Sequence, residues 1–177
     1  MTVPLTLPRL RTLFNLPWLM LVVGIVFVIS QTALALTLVP LGEPEILFRV
    51  QLLFTNAADY QAQFSAWEAD GVLGAYQAHL ILDALHPVWY ATFATCVLAV
   101  LFSRRGASAA WDRLLPLPML SGLLDVLENG MQAMFLNHPA ALTDGLVFMS
   151  WLCSVGKWGL VLVYVVAALY WMPPRRH

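Results

Sequence analysis

Leu16–Val39 reads LPWLMLVVGIVFVISQTALALTLV, 24 residues without one charged side chain. As a helix rising about 1.5 Å per residue, it is long enough to cross a hydrocarbon layer about 30 Å thick. Three more apolar stretches follow, at about Leu80–Phe102, Leu114–Phe135 and Leu146–Trp171, each near or above the ~20 residues a helical span needs. They explain the composition of the 177-residue chain, 60% hydrophobic and 11% charged, against roughly 25% charged in soluble domains. The expected class is an all-α polytopic membrane protein, one domain built as a four-helix bundle. Too little chain remains for a separate soluble catalytic domain, so any chemistry lies in or beside the bilayer.

The charges that remain exclude some functions and orient the chain. A formal net charge of −1, with no run of like charges and no basic stripe interleaved with aromatics, leaves no footprint for nucleic acid. Cys96 and Cys153 fall inside predicted spans at different depths, which argues against a structural disulfide or a CxxC metal site. No internal repeat is evident. Arg9 and Arg11 precede the first span, Arg104, Arg105 and Arg113 separate the second from the third, and Arg175 and Arg176 follow the fourth. The other side carries Glu43, Glu45, Asp59, Glu68, Asp70 and Asp144 against Arg49 alone. The positive-inside rule then places both termini in the cytoplasm. Arg9 and Arg11, an apolar core and Ala33-Leu34-Ala35 also imitate a cleavable secretory signal. The apolar run continues through Leu36–Val39, beyond the ~7–15 residues of a signal core, and favours a retained helix.

Residues from Pro40 to about Ala78 form the one long connection, and ~39 residues without structure would be unusual there. Glu45–Phe54 has the pattern of an interfacial helix, while Tyr60, Phe64 and Trp67 share one face of a second. The segment is expected to be an amphipathic external cap over the helix ends, with a mobile lid as the alternative. Pro87 is expected to kink the second span and open space beside it.

Lys157, inside the fourth span, has no role in topology, and it is not alone. The second span carries His79, Asp83, His86 and Tyr90 at i, i+4, i+7 and i+11, one helical face. The third carries Ser121, Asp125, Glu128 and Gln132 at the same offsets, with Asn129 adjacent, and the fourth carries Ser150, Cys153 and Lys157. The first contributes Ser30, Gln31 and Thr32 near its outer end. A charge in lipid costs from a few to more than ten kcal/mol, so these side chains should face inward and partner one another. Depth estimates bring Tyr90, Asp125 and Lys157 to one level near the midplane, which predicts an Asp125–Lys157 ion pair continued outward by Glu128, His86 and Asp83. Three carboxylates against one lysine leave excess negative charge, to be balanced by protons, a protonated histidine or a bound cation.

Each balance corresponds to a function. Asp83 and Glu128, with His86 as relay, are candidate acid/base residues acting on a lipophilic small molecule. Asp125, Lys157, Asn129, Tyr90, Trp89 and Trp158 are candidate binding residues, and Trp89, Tyr90 and Trp158 would supply an apolar pocket. No cofactor is expected. A divalent metal on His79 and Asp83 is the lesser alternative, because the spacing matches neither H-E-x-x-H nor the di-iron pattern. A noncatalytic scaffold or accessory subunit, its charges fixing helix register, is the main alternative. Three carboxylates and a lysine are an expensive way to obtain register when interhelical hydrogen bonds average below ~1 kcal/mol. Ion or proton translocation is disfavoured because Val97–Phe102 and Leu160–Leu169 offer no continuous polar path.

The pattern Gly71…Tyr76…Asp83…Pro87…Tyr90, then Pro118…Asp125-x-x-Glu128-Asn129, then Ser150…Lys157-Trp158, resembles a family of mostly bacterial four-helix membrane proteins without assigned activity. The likeness covers roughly residues 70–160. It implies the four-span topology, a bacterial cytoplasmic membrane and weight on Asp83, Asp125, Glu128, Asn129 and Lys157, while placing an aromatic residue where His86 stands. Four helices with a long external segment after the first also resemble the sterol-isomerase type of membrane fold, a likeness of architecture that transfers no residues.

Overall fold

The computed structural model describes residues 7–42 and 45–172, and among them every regular element is helical. Eight α-helices run in order: α1 (Leu7–Phe14), α2 (Pro17–Leu38), α3 (Ile46–Leu52), α4 (Ala57–Ala69), α5 (Leu73–Asp83), α6 (His86–Arg104), α7 (Leu117–Asn137) and α8 (Asp144–Trp171). Glu43, Arg175 and Arg176, used above to orient the chain, lie outside the described residues.

Among the described residues three segments are long and apolar enough to cross a membrane: Pro17–Leu41, His86–Arg104 and Asp144–Trp171. Their outer faces stay uncovered. Ile25, Val28 and Ile29 on α2, and Leu162, Val166 and Leu169 on α8, are exposed, a distribution that water penalises. The third expected span, 114–135, is present as the 21-residue α7 but is not one of these segments. Its buried Ser121, Asp125, Glu128, Asn129 and Gln132 lower its apolarity.

The second expected span, 80–102, is broken rather than merely kinked, since α5 stops at Asp83 and α6 starts at His86 with Pro87 in its first turn. Pro87 has no N–H to give the Asp83 carbonyl four residues back, and its ring would clash with that oxygen. The chain turns there, and Asn129 on α7 takes over: its Nδ2 donates to Asp83 Oδ2 at 2.9 Å and lies 3.5 Å from the freed carbonyl oxygen. Helices α6 and α7 come close at Gly122, where a Cβ would stand 3.1 Å from Ala91 Cβ and 3.2 Å from the Pro87 carbonyl oxygen.

The expected cap between the first two long helices contains α3, α4 and most of α5. Asn56 caps α4 by accepting from Asp59 N–H at 3.1 Å, and Asp144 in the first turn of α8 accepts from Ala57 N–H at 2.8 Å. One carboxylate therefore joins the starts of two helices. Gly71, at φ +70°, closes α4: Val72 N–H bonds to Trp67 O and Gly71 N–H to Glu68 O, a Schellman ending that needs a left-handed residue. Tyr60 and Trp67 are buried and Phe64 half-buried, the face expected from their spacing. At the opposite end Arg11 of α1 ion-pairs with buried Asp112 and donates to the carbonyls of Ala107 (2.8 Å) and Ser108 (3.0 Å).

Buried apolar residues divide into two clusters. One joins Ile46, Val50, Tyr60, Trp67, Tyr76, Phe135 and Val147 at the cap end. The other joins Leu98, Ala99, Phe102, Leu115, Tyr164 and Ala167 near the arginine-rich turn. Asp83, Asp125, Glu128, Asn129 and Lys157 belong to neither.

Candidate functional site

The long helices pack in the sequence α2–α6–α7–α8, with α7 on α8 the most extensive contact, while α2 makes no comparable contact with α8. A cleft of about 370 Å³ occupies that open seam, within the roughly 300–1,000 Å³ of small-molecule sites. Phe27, Leu34, Ala35 and Leu38 of α2 form one wall, and Trp158, Val161 and Tyr164 of α8 the other. α3 crosses the cleft with Leu47, Phe48 and Gln51. It is held on α8 by Trp158 Nε1 donating to Gln51 Oε1 and Trp151 Nε1 donating to Leu52 O, each at 3.1 Å, and by Phe48 packing on Trp158 with ring centroids 5.3 Å apart.

The floor of the cleft is polar: His79, Asp83, His86, Tyr90, Asp125 and Lys157 all line it. Lys157 Nζ sits 2.8 Å from Asp125 Oδ1 and 2.7 Å from Glu128 Oε2. The three residues are 4%, 5% and 0% exposed, so water screens little of this triad. The Asp125–Lys157 pairing inferred from helix depth is present. Glu128 is a direct second partner of the lysine rather than a step farther along a chain. One helical turn separates Asp125 from Glu128 on α7, and the long lysine stem reaches both from α8.

Behind the triad a hydrogen-bonded line runs toward the cap: Gln132 Nε2 donates to Glu128 Oε1 at 2.9 Å, and Tyr76 OH to Gln132 Oε1 at 2.6 Å. Glu128 and Asn129 therefore brace the floor from behind and do not line the cleft. Asp83 has no lysine or arginine partner among the described residues. Its carboxylate accepts from Asn129 and faces His79 Nε2 at 4.0 Å.

His86 is not joined to these carboxylates. Its Nδ1 lies 2.6 Å from Ser30 Oγ, and its ring stacks on Phe27 with centroids 5.6 Å apart. His79 is tied to α2 in the same way, Nδ1 to Thr37 Oγ1 at 2.8 Å. Tyr90 lines the cleft with its OH 3.4 Å from Ser121 Oγ, whereas Trp89 is half-buried and does not line it. Among the described residues no group of three or more His, Cys, Asp or Glu side chains is gathered as for a metal ion; His79 and Asp83 stand as two.

Sequence reasoning passed over Thr37, Phe27, Phe48, Gln51 and Tyr164. Ser30 and Thr37 are seven residues apart and share a helical face, a signal hidden by the surrounding apolarity. Comparison with family models, curated proteins and solved structures returns no match to this chain.

Proposed function

We propose that this is a polytopic membrane protein in which α2, α5–α6, α7 and α8 form the four membrane elements and the α2–α8 cleft binds a lipophilic small molecule. The observation that carries the reading is the cleft itself, with apolar and aromatic walls above a floor of ionisable side chains. In a bilayer the exposed faces of α2 and α8 meet lipid, and an apolar compound enters through the same seam. Helix α7 crosses although its apolarity is lower, because its carboxylates face Lys157 of α8. Arg11 lies against residues 107–112 while Asp144 lies against the start of α4, so basic and acidic residues occupy opposite ends. By the positive-inside rule this favours cytoplasmic termini and, with the family resemblance, the bacterial cytoplasmic membrane.

An acid/base step at the floor would use Asp83, the carboxylate without a lysine or arginine partner among the described residues, beside His79. Glu128 supports the floor from behind. The scaffold reading draws on a separate observation, the closed set of contacts among Tyr76, Gln132, Glu128, Lys157 and Asp125, which fixes α7 on α8 with or without a ligand.

The test is a mass-spectrometric inventory of compounds that co-purify with the wild-type protein and with Ala35→Trp, in which an indole fills the cleft from α2. A compound retained by the wild type and lost from a variant of equal thermal stability carries the reading. Identical inventories overturn it in favour of the scaffold.

A further inference from the structure

At the cleft floor His79 Nε2 and Asp83 Oδ1 have no hydrogen-bond partner among the described residues. Thr37 donates its hydroxyl hydrogen to Leu34 O at 2.6 Å, so it accepts from His79 Nδ1 at 2.8 Å. That network assigns the hydrogen of the neutral imidazole to Nδ1 and leaves Nε2 a bare lone pair. Nε2 faces a second acceptor, Asp83 Oδ2, across 4.0 Å. Asp83 Oδ1 accepts no hydrogen bond among the described residues, and both residues are more than nine-tenths buried. Two acceptors on buried residues thus face each other, and a donor reaching both would satisfy them together.

The charge count adds the sign. The one lysine at the floor is already shared by Asp125 and Glu128, which leaves Asp83 uncompensated and gives Lys157 little to offer an anion. Above Asp83 the walls carry Phe27, Phe48 and Trp158, surfaces that suit an apolar chain and tolerate a nearby cation on their faces. A bare metal ion fits less well. His79 and Asp83 supply only two ligands where tetrahedral N/O sites use three or four, and the apolar walls would be left without purpose.

Resting on the ligand-binding reading above, we propose that the cleft selects a protonated amine bearing an apolar chain. Its ammonium donates to Asp83 and to His79 Nε2, and its chain lies along Phe27, Phe48 and Trp158.

The experiment compares dodecylamine, 1-dodecanol and dodecanoate, one chain with three head groups, by thermal-shift titration of the full chain in a nonionic detergent at pH 7.5. Dodecylamine is expected to bind about tenfold or more tighter than dodecanol, the scale of a charge-assisted hydrogen bond in a buried site. Dodecanoate should bind weakest. Asp83→Asn should bring the amine to within about threefold of the alcohol, and Ala35→Trp should abolish binding of all three. If the alcohol or the acid binds as tightly as the amine, or if Zn²⁺ alone stabilises the protein more than the amine does, the selectivity is overturned while the ligand cleft stands. If no compound distinguishes wild type from Ala35→Trp, both inferences fall. Should Asp83→Asn not fold, the three head groups on the wild-type protein decide the matter alone.

Discussion

Replacing Lys157 by Met tests the triad most sharply, because one cation serves two carboxylates. The substitution keeps an unbranched stem of similar bulk and removes the ammonium 2.8 Å from Asp125 and 2.7 Å from Glu128. Both carboxylates are then buried without a counter-charge, Glu128 completely so. Breaking a buried ion pair from one side costs about 3–5 kcal/mol. At about 2–4 °C per kcal/mol for a chain of this size, Lys157→Met should lower the melting temperature in detergent by roughly 6–20 °C. Glu128→Gln should cost less, since Lys157 keeps Asp125 and the new amide still reaches it. The triple variant Lys157→Met, Asp125→Asn, Glu128→Gln removes every charge of the triad and should recover at least half of the loss, as neutral replacements of buried ion pairs do. The assay is thermal unfolding followed by intrinsic tryptophan fluorescence, with the four proteins in one detergent. A Lys157→Met protein that melts within about 3 °C of wild type, or a triple variant no more stable than the single, would refute the bridging role.

Other substitutions read other parts of the structure. Gly122→Ala should destabilise by about 1–3 kcal/mol, because its Cβ meets Ala91 and the Pro87 carbonyl, whereas Gly130→Ala on the same helix meets nothing within 4 Å and should stay within about 1 kcal/mol of wild type; paired melting curves check the contrast. Asp112→Ala removes the buried partner of Arg11 and should cost about 1.5–3 kcal/mol, read as a lower melting temperature and faster proteolysis around α1.

Periodicity alone placed the triad and the residues behind it. Offsets of three and four residues put Asp125, Glu128 and Gln132 on one face of α7, and counting 1.5 Å steps brought Lys157 opposite them. The same counting separated Glu128 from Lys157 by a helical turn, because it follows Cα positions and a lysine side chain spans more than that difference. Pro87 signalled a disturbance, but its extent depended on Asn129, a residue 42 positions away that satisfies the oxygen Pro87 sets free. The wall on α2 was illegible for a simpler reason. An apolar residue that lines a cleft and one that faces lipid have the same chemistry, and only the missing α2–α8 contact tells Leu34 from Ile29.

The distribution of charge between α7 and α8 bears on how the chain assembles. Neither helix is self-sufficient: α7 brings two acids of the triad, α8 brings the base, and residues 138–143 are all that separate the two helices. Entering a bilayer alone, α7 would carry two naked carboxylates and α8 a naked ammonium; entering as a hairpin they arrive with those charges already paired. On the membrane reading proposed above, the α7–α8 hairpin would therefore insert as one unit, its charges meeting each other before they meet lipid.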